Sequence, residues 1–215
     1  MTQFEKKLFA DVKRSIKENL SKHTVEQFHK SGVEGYYKED AGRLWRCSRD
    51  GSSVYCFWVS APPGWLFVYG DMGECAWSRH RDMIPFIRGS IGSFDYFAEK
   101  VSRNVSIKEP RQELAEEWLD TVLKEWKDYY GEKPSAKIKD IVDSLKEWWE
   151  DYNDPVALRM QIYESGLYGS DGESIPSFEC YTYQYIWKCE ALKWFIDKID
   201  KGQVVDKSGS FDWSN

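Results

Sequence analysis

SSVYCFWVSAPPGWLFVYGDMGECAWSRHRDMIPFIRGSIGSFDYFAEKV, residues Ser52–Val101, decides the fold class of this chain. Ser53 to Ser60 is dense in β-branched and aromatic residues, which fit the pleated, half-buried surface of a strand. Ala61-Pro62-Pro63-Gly64 turns the chain, and Trp65 to Tyr69 supplies the next strand. Gly70-Asp71-Met72-Gly73 turns it again before a strand at Glu74 to Ser78. Upstream, Arg43, Trp45 and Cys47 alternate with Leu44, Arg46 and Ser48 as far as Asp50-Gly51. That dipeptide is a two-residue hairpin signal, in which both positions are expected at positive φ. Four strands in such short succession predict an antiparallel meander.

Outward from the strands the period changes to that of helices. Phe4, Leu8, Val12, Ile16 and Leu20 place an apolar residue every fourth position, an amphipathic helix. Ser21 to Lys30 is expected to continue as a short second helix with Thr24 as its N-cap, ended by Gly32 and Gly35. After the strands, helices are expected from Arg81 to Arg88 and from Phe94 to Val105. Pro110 suits the first position of a long helix reaching Trp126, and Pro134 begins another through Tyr152. A short helix follows Asp154-Pro155, then a Gly/Ser-rich loop over Gly166 to Ser177, then a last helix from Glu179 to Ile199. The fold class is α+β: a meander of about four strands packed with helices, followed by a helical C-terminal half. The expected division is an α+β domain over 1–105, an acidic helical region over 106–200 packed on it, and a tail over 201–215. That tail looks frayed, although Phe211 and Trp213 can dock.

Composition narrows the function classes. The aromatic fraction is 16%, with eleven tryptophans, and large amphipathic rings serve cores and interfaces equally. Trp118, Trp126, Trp148, Trp149, Trp187 and Trp194 recur at helical spacing, which favours a core and leaves an aromatic interface as the alternative. No run approaches the roughly 20 apolar residues of a membrane span, and the N-terminus lacks an apolar leader core, so a cytoplasmic protein is expected. Cys47, Cys56, Cys75, Cys180 and Cys189 are odd in number, with no Cys-x-x-Cys, and read as free buried or half-buried thiols. With only three histidines, neither a metal cluster nor a cofactor has a motif in its favour. Charge is divided unevenly. Residues 1–105 hold 16 Lys and Arg against 13 Asp and Glu, and residues 106–215 hold 14 against 23. An acidic half disfavours phosphate and favours a basic protein partner.

A group of residues in the quoted stretch is familiar. Pro63-Gly64, Gly70-Asp71-Met72-Gly73, Trp77, Arg79, Asp82-Met83 and Phe86 follow one another as in a family of small phage- and prophage-encoded accessory proteins, which this chain resembles. Tyr96-Phe97-Ala98-Glu99-Lys100, Tyr181 to Trp187 and Ala191-x-x-Trp194 extend the resemblance, which brackets about two thirds of the chain. Ile84-Pro85 and Ile87 stand where that family carries further aromatics, and Ser93-Phe94-Asp95 replaces its Asn-Pro helix entry. The resemblance implies a mobile-element accessory protein, a class that includes inhibitors of host defence and anti-CRISPR proteins among them.

Candidate sites follow from these two strands of reading. Gly70 to Gly73 lacks the Gly-Lys-Ser/Thr of a phosphate loop and joins two strands, so it reads as a structural turn. His80 beside Asp82, with Cys75 upstream, lacks the surroundings of a nucleophile, and no nucleophile, base and oxyanion-donor set is visible. The chain is therefore expected to be no enzyme. Its expected function is to bind and inhibit a host defence protein, such as a nucleic-acid-handling CRISPR nuclease. The expected binding surface is an acidic helical face of Glu113, Glu116, Glu117, Asp120, Asp143, Glu147, Glu150 and Asp151 competing for a basic groove. The alternative is direct nucleic-acid or nucleotide binding by a sheet face of Arg43, Arg46, Arg49, Trp45, Arg79, Arg81 and Arg88, interleaved with Trp58 and Trp77. Against it stands pairing of those arginines with Asp50, Asp71, Asp82 and Glu74.

Overall fold

A computed structural model describes residues 1–30, 42–79, 82–102, 105–130, 132–152, 154–167 and 175–207, with the side chains at 29–30, 130, 132–136 and 150–152 left out. The described chain is mixed α/β and falls into two compact units. One comprises Leu8–Ile107 with Thr182–Asn215, the other Met1–Lys7 with Lys108–Tyr181.

In the first unit the meander is present as β2 (Arg43–Arg49), β3 (Ser52–Ala61), β4 (Trp65–Gly70) and β5 (Cys75–Ser78), each antiparallel to the next. β1 (Thr24–Lys30) pairs with β2, and β8 (Val204–Asp206) adds parallel to β1, giving six strands in the order β5-β4-β3-β2-β1-β8. Two expectations are corrected by these outer strands. Thr24–Lys30 is strand and not a second helix, because Val25 faces the core opposite Cys47 and Thr24 Oγ1 donates to Ser48 O at 3.3 Å. The stretch after Lys201 is not frayed throughout: Val204–Asp206 meets the backbone of Val25–Gln27. Of the two turn residues joining β2 to β3, only Gly51 takes positive φ, and the register slips between Cys47 and Arg49.

Helices close one face of this sheet. α2 (Met83–Ser90) starts at Asp82, whose carboxylate accepts from Ile84 N–H at 3.0 Å, a side-chain N-cap. α3 is shorter than expected, Phe94–Ala98, because the chain then turns back to bridge Val101 to Trp77 and to bond Ser102 N–H to Ala76 O at 2.8 Å. α7 runs Tyr183–Asp200, not from Glu179, since the Thr182 hydroxyl caps it by accepting from Tyr185 N–H at 3.1 Å. The expected 106–200 region is thereby divided: α7 clusters with the sheet, and Lys108–Tyr181 with Met1–Lys7.

The second unit contains α4 (Gln112–Tyr130), α5 (Glu132–Tyr152), α6 (Pro155–Glu164) and a short ribbon of β6 (Lys108–Pro110) with β7 (Glu179–Tyr181). Leu114, Leu119, Val122, Val142, Leu145 and Leu158 are buried at its centre, and Phe178 lies edge-on to Trp118 and Trp149. Asp154 caps α6 ahead of Pro155. α1 (Gln3–Asn19) opens with Thr2 and Glu5 satisfying each other's backbone N–H groups, and the Glu117 carboxylate accepts from Gln3 N–H at 3.0 Å. Such groups supply the free donors of a helix start with acceptors.

Candidate functional site

Strand parity sorts the aromatic residues of the sheet into two sets. Trp45, Phe57, Val59, Leu66, Val68 and Trp77 point to the helix-covered face and are buried. There Trp45 meets Phe195 at 5.2 Å, Phe57 meets Trp187 at 5.7 Å, and Trp77 stacks on Phe97 at 4.9 Å. Tyr55 joins them against Trp187, in spite of a positive φ of 56°, with its N–H donating to the Asp71 carboxylate at 2.9 Å.

The opposite face is different. Register places Arg46 opposite Trp58, Trp58 opposite Tyr69, and Ser60 opposite Phe67, so these side chains share one surface. Phe28 joins them at the β1 bulge, 5.4 Å from Trp58. Trp58 and Tyr69 lie parallel, 6.3 Å apart with an interplanar angle of 4°, and Trp65 stacks on Phe67 at 5.8 Å. Trp65, Phe67 and Tyr69 remain exposed at 42%, 37% and 39%, large values for rings on a sheet whose other face is closed. A groove of about 400 Å³ runs along Phe67, Tyr69, Ala76, Ser102 and Val105.

Among the described residues, a cation sits on this surface. The Arg46 guanidinium lies over the Trp58 ring, 5.8 Å from its centroid. Among the described residues it makes no ion pair, and its buried Nε has no hydrogen-bond partner. Glu26 is its register neighbour on β1 but lies beyond ion-pair distance. A guanidinium stacked on indole with donors unspent can meet a phosphate or carboxylate without giving up its ring contact.

The remaining arginines expected on this surface do not gather there. Trp45 and Arg43 have the opposite parity to Arg46, and Arg43 donates to Asp82 at 2.5 Å. Arg88 donates to both Asp200 carboxylate oxygens, from Nη2 to Oδ1 at 2.6 Å and from Nε to Oδ2 at 3.2 Å, and Arg49 reaches Ser52 Oγ at 3.2 Å. Arg79 is exposed just beyond β5, and Arg81 lies outside the described residues. The expected acidic surface is also partly spent. Glu117 serves the start of α1, Glu116 accepts from Gln112 at 2.8 Å, and Asp120 pairs with Lys146 at 2.7 Å. Glu113, Asp143 and Glu147 are exposed, and the side chains of Glu150 and Asp151 lie outside the described residues.

The thiols are poorly set for nucleophilic work. Four are buried and Cys56 is half-buried, all of them free. Burial pushes the Cys75 thiol up to about 12, so the thiolate that attacks is scarce near neutral pH. Asp82, the expected neighbour of a His80 dyad, is occupied by Arg43 and Ile84, while His80 lies outside the described residues. Gly70 to Gly73 is a turn whose acid is engaged: Asp71 holds Tyr55, and a Cβ at Gly70 would fall 2.3 Å from Cys56 O. Among the described residues no group of His, Cys, Asp and Glu is placed to hold a metal ion, and no helix is long and apolar enough to cross a membrane.

No family model, curated protein or solved structure matches the chain. Phe28, Trp65, Phe67 and Tyr69 are the members of the exposed surface that the sequence reading left out. For the three on β4 the signal is the alternation Trp65-Leu66-Phe67-Val68-Tyr69, in which aromatics take one parity and aliphatics the other; Phe28, at the β1 bulge, has no such local signal.

Proposed function

We propose that this protein is a binding protein whose exposed sheet face takes unpaired nucleobases of a single-stranded nucleic acid. The observation that carries this reading is the row Phe28, Trp58 and Tyr69 with Arg46 stacked on Trp58 and, among the described residues, lacking a counter-ion. Every base has a π-face, so aromatic rings on an open sheet hold bases with little regard to sequence, and an adjacent guanidinium meets the backbone. The sheet unit has 19 Lys and Arg against 17 Asp and Glu, so attraction to phosphate is local to Arg46 and not a property of the whole unit. Fluorescence anisotropy with a labelled single-stranded oligonucleotide tests it. Binding should weaken only gently with salt, and Arg46→Gln should flatten the dependence further by about one phosphate contact. Absence of saturable binding at low salt sinks the reading.

A second reading is favoured by the other unit, which holds 11 Lys and Arg against 19 Asp and Glu and exposes Glu113, Asp143 and Glu147. Here the protein is a phage or prophage accessory factor, and its acidic surface occupies the basic groove of a host defence protein such as a CRISPR nuclease. Reversing Glu113, Asp143 and Glu147 to Lys should abolish capture of a purified nuclease while leaving thermal unfolding unchanged. Undiminished capture by the reversed protein rejects this reading.

A further inference from the structure

Lys188 lies in the middle of α7 among buried residues and is itself 5% exposed. Its Nζ donates to Met72 O at 3.0 Å, the backbone of the Gly70–Gly73 turn. Among the described residues it forms no ion pair; the carboxylate of Glu74 acts on it from beyond that range. A lysine ammonium carries three N–H donors, and a buried one without a counter-ion is expensive to keep. Burial accordingly lowers the proton affinity of Lys188, while the neighbouring thiols Cys75 and Cys189 are pushed upward by burial and stay protonated. They therefore supply no negative charge to balance it.

The amine does not end in packed apolar core. It lines a pocket of about 250 Å³ with Gly73, Ser106, Thr182, Gln184 and Tyr185. Gly73 adopts φ +77°, and a Cβ there would stand 3.6 Å from Lys188 Nζ, so the missing side chain keeps that approach to the amine clear. Thr182 Oγ1 accepts from Tyr185 N–H, which leaves its own hydroxyl hydrogen to donate. Gln184, whose side chain ends in an amide, also lines the pocket. The site thus offers a positive charge, a hydroxyl and an amide around a space of a few heavy atoms.

We infer that this pocket binds a small anion through a carboxylate or phosphoryl group, ion-paired to Lys188 and hydrogen-bonded by Thr182 and Gln184. Glu74 on the rim sets a limit, because a multiply charged diphosphate would be repelled where a monoanion is tolerated. The inference stands apart from the exposed sheet face and does not require it.

Amide spectra of the full chain, titrated separately with sodium acetate and with sodium phosphate at constant ionic strength, test the site. Saturable shifts at Gly73, Thr182 and Gln184 are expected for at least one anion, and the stronger of the two identifies the preferred group. Lys188→Met, which keeps the volume and removes the charge, should weaken that response by at least about thirtyfold. Unsaturated, linear shifts for both anions in the unaltered protein would overturn the inference, whether or not the variant folds. An equal saturable response in a folded Lys188→Met protein would overturn it as well.

Discussion

Trp45, Phe57 and Trp77 on one face of the six-stranded sheet, and Trp58, Phe67 and Tyr69 on the other, are large aromatic residues of one meander, β2 to β5. The first set is sealed under α7 and α3, with relative exposures of 3%, 1% and 0%. In the second, Phe67 and Tyr69 stay above a third exposed, and a cation rests on Trp58 with no counter-ion among the described residues. A high aromatic content is therefore two different quantities in this molecule. One part is core, where rings are held by mutual edge and face contacts. The other is surface, which costs the fold exposed apolar area and is intelligible when something stacks on it.

The sharpest way to break the comparison is to remove one ring from the sealed face. Trp187 is fully buried against Tyr55 and Phe57, so Trp187→Ala should cost about 3–5 kcal/mol, read from chemical denaturation. A loss as small as that of an exposed ring would show the two faces to be energetically alike.

A smaller effect separates the sealed face by pH. His23 is buried near Trp194, and burial lowers its pKa below the ordinary 6.5, with the charge of Arg49 acting in the same direction. The folded protein then binds a proton less readily than the unfolded chain. Stability from the neutral ring is complete above pH 6.5 and is lost as pH falls through the lower folded value. His23→Gln should flatten the decline in melting temperature between neutral pH and about pH 5. An unchanged slope would mean that His23 does not contribute. The smallest expected effect is on the open face. Glu26→Gln removes the carboxylate beside Arg46 and should raise oligonucleotide affinity a few-fold at low salt, by about the value of one exposed charge. Weaker binding would place the negative charge on the ligand's side of the account.

Much of this architecture is legible in the residues. The turns at Asp50-Gly51, Pro63-Gly64 and Gly70–Gly73 punctuate β2 to β5, and 3.6-residue periodicity marks α4 and α5. Thr24–Lys30 is not legible, because TVEQFHK follows a long helix and its strand state depends on β2 offering a partner. The same holds for Val204–Asp206, whose three residues are strand only beside β1. For the candidate surface, charge and residue type picked out Arg46, but a list by composition mixed it with Arg43 and Trp45 of opposite parity. Pairing partners such as Asp82 for Arg43 and Asp200 for Arg88 are set by tertiary approach across 39 and 112 positions, which no local pattern carries.

The most direct test of the two-faced sheet is a paired measurement on Trp58→Ala/Tyr69→Ala. Oligonucleotide affinity and the denaturation midpoint are read on the same preparation. The account predicts that binding falls by at least about tenfold, as expected when stacking partners are lost, while stability drops by far less than in Trp187→Ala. Undiminished affinity in a folded double variant, or a collapse of stability equal to that of Trp187→Ala, would contradict it.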